Sequence, residues 1–101
     1  MPRQRNEVVV IMWRDIPAQV NGQSGRQRHQ VVLDPKFQRA IDRAKRKARI
    51  VTAQEDVAQW RRVSTPCDGD PAAAAQDIAA RLDADYPEER LGKLAYNGGV
   101  E

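Results

Sequence analysis

The chain has 101 residues, a formal net charge of +3 and 41% hydrophobic residues, a composition that suits one small domain. Fourteen of the hydrophobic residues are alanines, so the core should be thin, and burial against a partner would add stability. The single cysteine, Cys67, excludes an internal disulfide. No stretch approaches the roughly 18 apolar residues of a membrane span, and the apolar run at 8–13 is too short for a secretory leader, so we expect a soluble, cytoplasmic protein.

The charge is unevenly distributed along the chain. Residues 1–65 carry 14 Lys and Arg against 6 Asp and Glu, whereas residues 66–101 carry 3 against 8. Such a distribution can steer a charged partner, or it can mean that the two halves of the chain attract each other. Both interpretations are open at this stage.

Two segments have the composition of β-strands. The run VVVIMW at residues 8–13 is rich in β-branched side chains and predicts a buried strand, and RHQVVL at 28–33 predicts a second one. The connection at 14–27 contains a proline and two glycines and predicts a long irregular surface loop. Because two strands alone are marginally stable, we expect helices to cover them.

The segment DPKFQRAIDRAKRKARI at 34–50 is the strongest helix prediction. Asp34 can cap the first turn, and Pro35 suits the first helical position. The helical spacing of its apolar residues predicts one buried stripe, made of Phe37, Ala40, Ile41, Ala44 and Ala48. The Lys and Arg side chains lie off this stripe and form a basic face.

Three more helices are predicted further along the chain. TAQEDVAQWRR, which starts at Thr52, carries a capping box and predicts a helix that buries Trp60 and ends in two arginines. Asp70 and Pro71 open an alanine-rich helix with a narrow apolar ridge. PEERLGKLAY at 87–96 predicts a last helix that stops at Asn-Gly-Gly.

These elements predict an α+β fold, in which a two-stranded β unit with a long connecting loop packs against about four helices. We expect residues 1–6 to form a flexible basic N-terminus, 7–96 a single domain and 97–101 a flexible C-terminal tail. The predicted structural core includes Trp13, Phe37, Ile41, Trp60 and Leu82.

The ordered motifs WRDIPAQV, FQRAIDRA and WRR resemble a family of small bacterial proteins known as virulence factor domains. The resemblance extends over about residues 8–94. It implies an accessory role beside folate-linked one-carbon and methyl-transfer enzymes, and it implies no catalytic residues. The chain departs from the family pattern at RKARIVTAQEDVAQWRR, where family members have a glycine turn, an Asp-Ala-Tyr-Leu segment and fewer basic residues on the preceding helix.

The WRDIP corner and the loop after it form one candidate partner-binding surface, comprising Arg14, Asp15, Arg26 and Arg28. Arginine suits such a surface because its guanidinium binds carboxylates and phosphates through two parallel hydrogen bonds. In the structural alternative, Asp15 accepts backbone N–H groups and Arg14 pairs with a nearby acid.

A second candidate surface is the basic face of the helix at 35–50, with Arg39, Arg43 and Arg46. We interpret the chain as a non-enzymatic accessory or interaction module that docks on a larger protein partner. Nucleic-acid binding through the same face is the alternative. A third hypothesis has Arg14 or Asp15 complete an active site on another chain. No catalytic, metal or cofactor site is predicted, because neither His29 nor Cys67 has a recognisable partner.

Overall fold

The computed structural model describes residues 6–101, which form an antiparallel sheet covered by helices on one face. The strand order is β3-β2-β1-β4. The elements are β1 (Asn6–Trp13), β2 (Ile16–Ser24), β3 (Gln27–Val31), α1 (Pro35–Lys47), α2 (Ala53–Val57), β4 (Trp60–Pro66), α3 (Pro71–Asp85) and α4 (Glu88–Tyr96). The α+β class is confirmed, and the two-stranded unit is wrong because the sheet has four strands. The predicted flexible N-terminus lies outside the described residues except for Asn6, which begins β1.

The predicted loop at 14–27 is in fact mostly strand β2. It pairs antiparallel with β1 from Ile16 opposite Trp13 to Ser24 opposite Asn6, with one register shift. β3 pairs with its other edge. The sequence pattern does not indicate this strand, because Pro17 and Gly22 are residue types that are normally depleted in strands. Pairing on both edges overrides that local preference.

The predicted helix at 52–62 is also only partly correct. Thr52 caps it as expected, accepting a hydrogen bond from the backbone N–H of Glu55 (3.1 Å), but α2 ends at Val57. Trp60 instead begins β4, which pairs antiparallel with β1 along its length. The predicted burial of Trp60 is wrong, since its residue surface is 37% exposed on this edge strand. WRRVSTP is rich in β-branched and aromatic residues, and the free edge of β1 gives it a partner.

The core lies between the sheet and the helices. α1 begins after Asp34, whose side chain accepts a hydrogen bond from the backbone N–H of Lys36 (2.9 Å). Its apolar stripe is buried from Phe37 to Ala44, while Ala48 at the C-cap is half-buried. Trp13, Phe37 and Ile41 all lie in the central cluster. Leu82 lies at the border of this cluster and is half-buried. The buried residues of α3 are Ala75 and Ala79, and their small side chains let the helix approach the sheet closely.

None of the described helices is long and apolar enough to cross a membrane. The first turn of α3 lies directly against the sheet at Gly22. A Cβ atom at this position would lie 2.3 Å from the carbonyl oxygen of Pro71. The glycine in β2 therefore permits the first turn of α3 to rest on the sheet.

Replacing Gly22 by alanine should lower the free energy of unfolding by about 1–3 kcal/mol, since backbone must move to accept the methyl group. Urea denaturation followed by tryptophan fluorescence measures this change. Gly92→Ala is the matched control, because a Cβ there meets nothing within 4 Å. That variant should raise the free energy of unfolding by about 0.5–1 kcal/mol through helix propensity. Equal effects of the two substitutions would contradict the packing explanation.

Candidate functional site: the WRDIP corner and a basic groove

Arg14 in the WRDIP corner is bound into the fold. It occupies the tight turn between β1 and β2 with a φ of 51°. Its Nε donates to the side-chain oxygen of Gln59 (2.9 Å), and one terminal nitrogen donates to the carbonyl oxygen of Gly98 (2.9 Å). Its backbone N–H donates to the carbonyl oxygen of Gln59 (3.0 Å). Arg14 therefore joins the turn, the start of β4 and the segment after α4, and its partners are an amide and a carbonyl rather than the acid of the structural alternative.

Asp15 is also engaged within the chain. One carboxylate oxygen accepts from Arg61 (3.2 Å), and the other accepts from the backbone N–H of Glu101 (2.9 Å). The backbone N–H of Asp15 donates to the carbonyl oxygen of Gly99 (2.9 Å). Residues 97–101, predicted as a flexible tail, thus contact the β1–β2 turn, and Asp15 accepts a backbone N–H as the structural alternative has it.

A polar cluster supports the same corner from the helical side. The indole N–H of Trp13 donates to Asp56 (2.9 Å), and the Lys45 ammonium lies 3.0 Å from the same carboxylate oxygen. The ammonium is 5.9 Å from the ring centroid of Trp13 and 5.4 Å from that of Trp60. Desolvation alone would raise the pKa of Asp56, but the hydrogen bonds from Lys45 and Trp13 outweigh it and hold the pKa below its usual range.

Arg26 and Arg28 lie far from this corner. They follow the far end of β2, where Ser24 pairs with Gln27, and a nine-residue strand spans roughly 30 Å. Both are exposed. The prediction of one loop surface is therefore wrong, because strand β2 separates Arg14 and Asp15 from Arg26 and Arg28.

The helical surface does bring several basic side chains together. α1 and α4 run in the same direction, because Arg39 pairs with Glu88 (3.5 Å) and, two turns further along both helices, Lys47 lies 4.6 Å from the ring centroid of Tyr96. Between them is a cavity of about 310 Å³. We call it the basic groove, and it is lined by Arg43, Arg46, Lys47, Gly92, Ala95 and Tyr96.

Among the described residues, acidic side chains pair with some of the cations of α1 but not with those of the basic groove, and near its end only Lys45 is paired, with Asp56. Lys36 pairs with Asp83 (3.1 Å), and Arg39 pairs with Glu88. Within residues 6–101, Arg43, Arg46 and Lys47 of the basic groove make no ion pair. The groove is therefore a cationic surface whose charges face solvent.

Sequence reasoning found part of this groove. It named Arg43 and Arg46 but missed Gly92 and Tyr96, which α4 contributes. The glycine in the middle of a short helix could have indicated a special role for this position, because glycine there lowers helix stability by about 1 kcal/mol relative to alanine. Which helix α4 would face could not be deduced from that glycine.

The comparisons with known proteins assign the chain to a family. The family model described as "Virulence factor" matches residues 11–95. The chain belongs to the virulence factor family. In this family member the matched segment includes both the WRDIP corner and nearly all of the basic groove, and the resemblance seen in the sequence is confirmed. No curated protein and no solved structure matches the chain.

The virulence factor domain has no evident metal centre in the part of the chain that the structure describes, where no three His, Cys, Asp or Glu side chains are grouped as metal ligands would be. His29 is exposed on β3, and Cys67 is half-buried beside β4. The candidate functional features of the described residues are therefore the charged WRDIP corner and the basic groove.

Arg14 in a left-handed conformation gives a test of the corner. Arg14→Ala should lower the free energy of unfolding because it removes two side-chain hydrogen bonds. Arg14→Gly removes the same bonds but relieves the steric cost of a positive φ, so it should be more stable than Arg14→Ala by about 1 kcal/mol. Urea titrations of both variants measure the difference. If Arg14→Ala unfolds like the wild type, the corner does not depend on these contacts.

Asp56 should give the domain a specific acid sensitivity. Its pKa in the folded state lies below the ordinary 3.8, so its contribution is present above that value and disappears as the pH falls through the lowered pKa. Asp56→Asn should cost about 1 kcal/mol of unfolding free energy at pH 7, and this difference from the wild type should shrink in acid.

Unfolding titrations from neutral to acidic pH measure the effect of Asp56. The control is a double-mutant cycle with Lys45→Met, in which the two single effects should not add. A difference between the wild type and Asp56→Asn that is independent of pH would contradict the assignment.

Proposed function

We propose that this virulence factor domain is a non-enzymatic interaction module that docks on an acidic surface of a larger protein in a bacterial assembly. The observation that carries the proposal is the basic groove, where Arg43, Arg46 and Lys47 have no acidic partner within the described residues. Complementary charges steer association and select the partner. A thin core in a small domain also gains from burial against another protein.

The arrangement of acids around α1 favours a protein partner over nucleic acid. The unpaired cations extend over little more than one turn of α1, while Asp83 and Glu88 stand beside its first half. A phosphate backbone that continued along α1 would approach these carboxylates and be repelled. A protein surface can instead present a short acidic patch that ends where the acids of this chain begin.

The contacts of the WRDIP corner support docking rather than a contribution to another chain's active site. Arg14 and Asp15 already use their side chains to hold Gln59, Gly98 and Arg61. Drawing either side chain into a foreign site would break these bonds. The family resemblance suggests one-carbon or methyl-transfer enzymes as the class of partner.

Charge reversal in the groove tests the proposal. The tagged wild type, isolated from its native cells, should co-purify with a larger protein, and Arg43→Glu with Arg46→Glu should abolish that complex. The matched control is Arg28→Glu with Arg81→Glu, which makes the same change in net charge at exposed positions on β3 and α3. The control should retain the complex. Quantitative mass spectrometry of the eluates measures both outcomes.

Two results would contradict the proposal. One is a wild type that elutes alone, as a monomer, at micromolar concentration. The other is binding to unrelated duplex DNA that the groove reversal abolishes and that falls linearly with the logarithm of salt concentration. That second result would favour the nucleic-acid alternative.

A further inference from the structure

We infer that the basic groove receives a single acidic α-helix of the partner, an inference that rests on the proposed docking function. α1 and α4 present two parallel rows of side chains at four-residue spacing. On α1 the row is Arg39, Arg43 and Lys47, and on α4 it is Glu88, Gly92 and Tyr96. Rows at this spacing are the ridges between which another helix packs.

Gly92 leaves a hole at the middle of the α4 row. It lines both the main cavity and a smaller one of about 160 Å³ towards Glu88, and a Cβ there would meet nothing within 4 Å. No close contact within the domain requires this glycine. Helix geometry does not require it either, because alanine at the same position would be more stable. A small residue that costs stability and opens a cavity permits close approach of another element.

The charges around the hole also cost stability. Arg43 and Lys47 are four residues apart on one helix, where like charges repel each other. Cations in the last turn of α1 favour the helix dipole, but Arg43 lies before that turn. Two unfavourable features, the glycine and the repelling cations, thus coincide at one groove. An anionic partner that fills the groove would neutralise the cations, and its contacts over Gly92 would offset the cost of the glycine.

The shape of the groove specifies what the partner presents. From Arg39 to Lys47, α1 rises about 12 Å, or roughly two helical turns. A partner helix with carboxylates four residues apart would place one near Arg43 and the next near Lys47. The open groove of about 310 Å³ leaves room for an apolar side chain between those carboxylates, over Gly92 and Ala95.

The experiment uses the full chain and a defined probe. The probe is a fluorescent helical peptide of about 15 residues, with glutamates four residues apart and leucine between them. A peptide of similar composition that is broken by proline is the reference. At about 50 mM salt, anisotropy should show the helical peptide binding at least about tenfold more tightly. The amide NMR signals of residues 92–96 should shift when it binds.

Gly92→Leu separates groove packing from general attraction. It fills the hole without changing any charge, and leucine suits a helix, so binding should weaken at least about tenfold. Ala80→Leu, which adds the same side chain at an exposed position of α3, should leave binding unchanged. The helix inference fails, and charged docking stands, if three results coincide. Gly92→Leu binds the helical peptide as tightly as the wild type does, the wild type binds both peptides equally, and Arg43→Glu weakens binding. If Arg43→Glu and Gly92→Leu both leave binding unchanged, or if neither peptide binds, the helix inference fails, and the co-purification of Arg43→Glu with Arg46→Glu decides separately whether the groove docks a protein.

Discussion

The buried indole of Trp13 is the constraint on which one end of the domain depends. Its N–H donates to Asp56, the Lys45 ammonium of α1 lies beside its ring, and Trp60 of β4 lies opposite it in the sheet. A Cβ at Gly99 would lie 2.7 Å from this ring, so the segment after α4 also closes on it. Strands, helices and the end of the chain therefore meet at one aromatic ring, and the Arg14–Asp15 turn directly follows it.

This arrangement separates the residues that stabilise the domain from those available to a partner. Arg14 and Asp15 are charged, but their hydrogen bonds hold the corner together. Arg43 and Lys47 have no such role in the described chain and flank a cavity. The uneven charge of the sequence has different consequences at the two ends of α1. The acidic half of the chain neutralises the start of α1, as in Lys36–Asp83, whereas Arg43, Arg46 and Lys47 have no acidic partner within the described residues.

Sequence patterns predicted those elements whose stability is largely local. The Asp34 cap and the apolar stripe of α1 follow from spacing along one helix, and both are present in the structure. Patterns failed where pairing with distant residues decided the conformation. β2 contains Pro17 and Gly22 and is a strand because β1 and β3 pair with it. Trp60 lies in a segment with a helical sequence pattern, but it forms a strand because it pairs with the edge of β1.

The sequence by itself determined the α+β class, the family, the helix starts and the existence of a basic face, because each of these depends on residue types at short spacing. Only the tertiary structure decided that Arg26 lies at the opposite end of β2 from Arg14, since strand pairing sets that distance. It also decided that α4 lies parallel to α1, which places Gly92 and Tyr96 beside Arg43. A groove between two helices depends on packing between distant segments, and no local pattern encodes it.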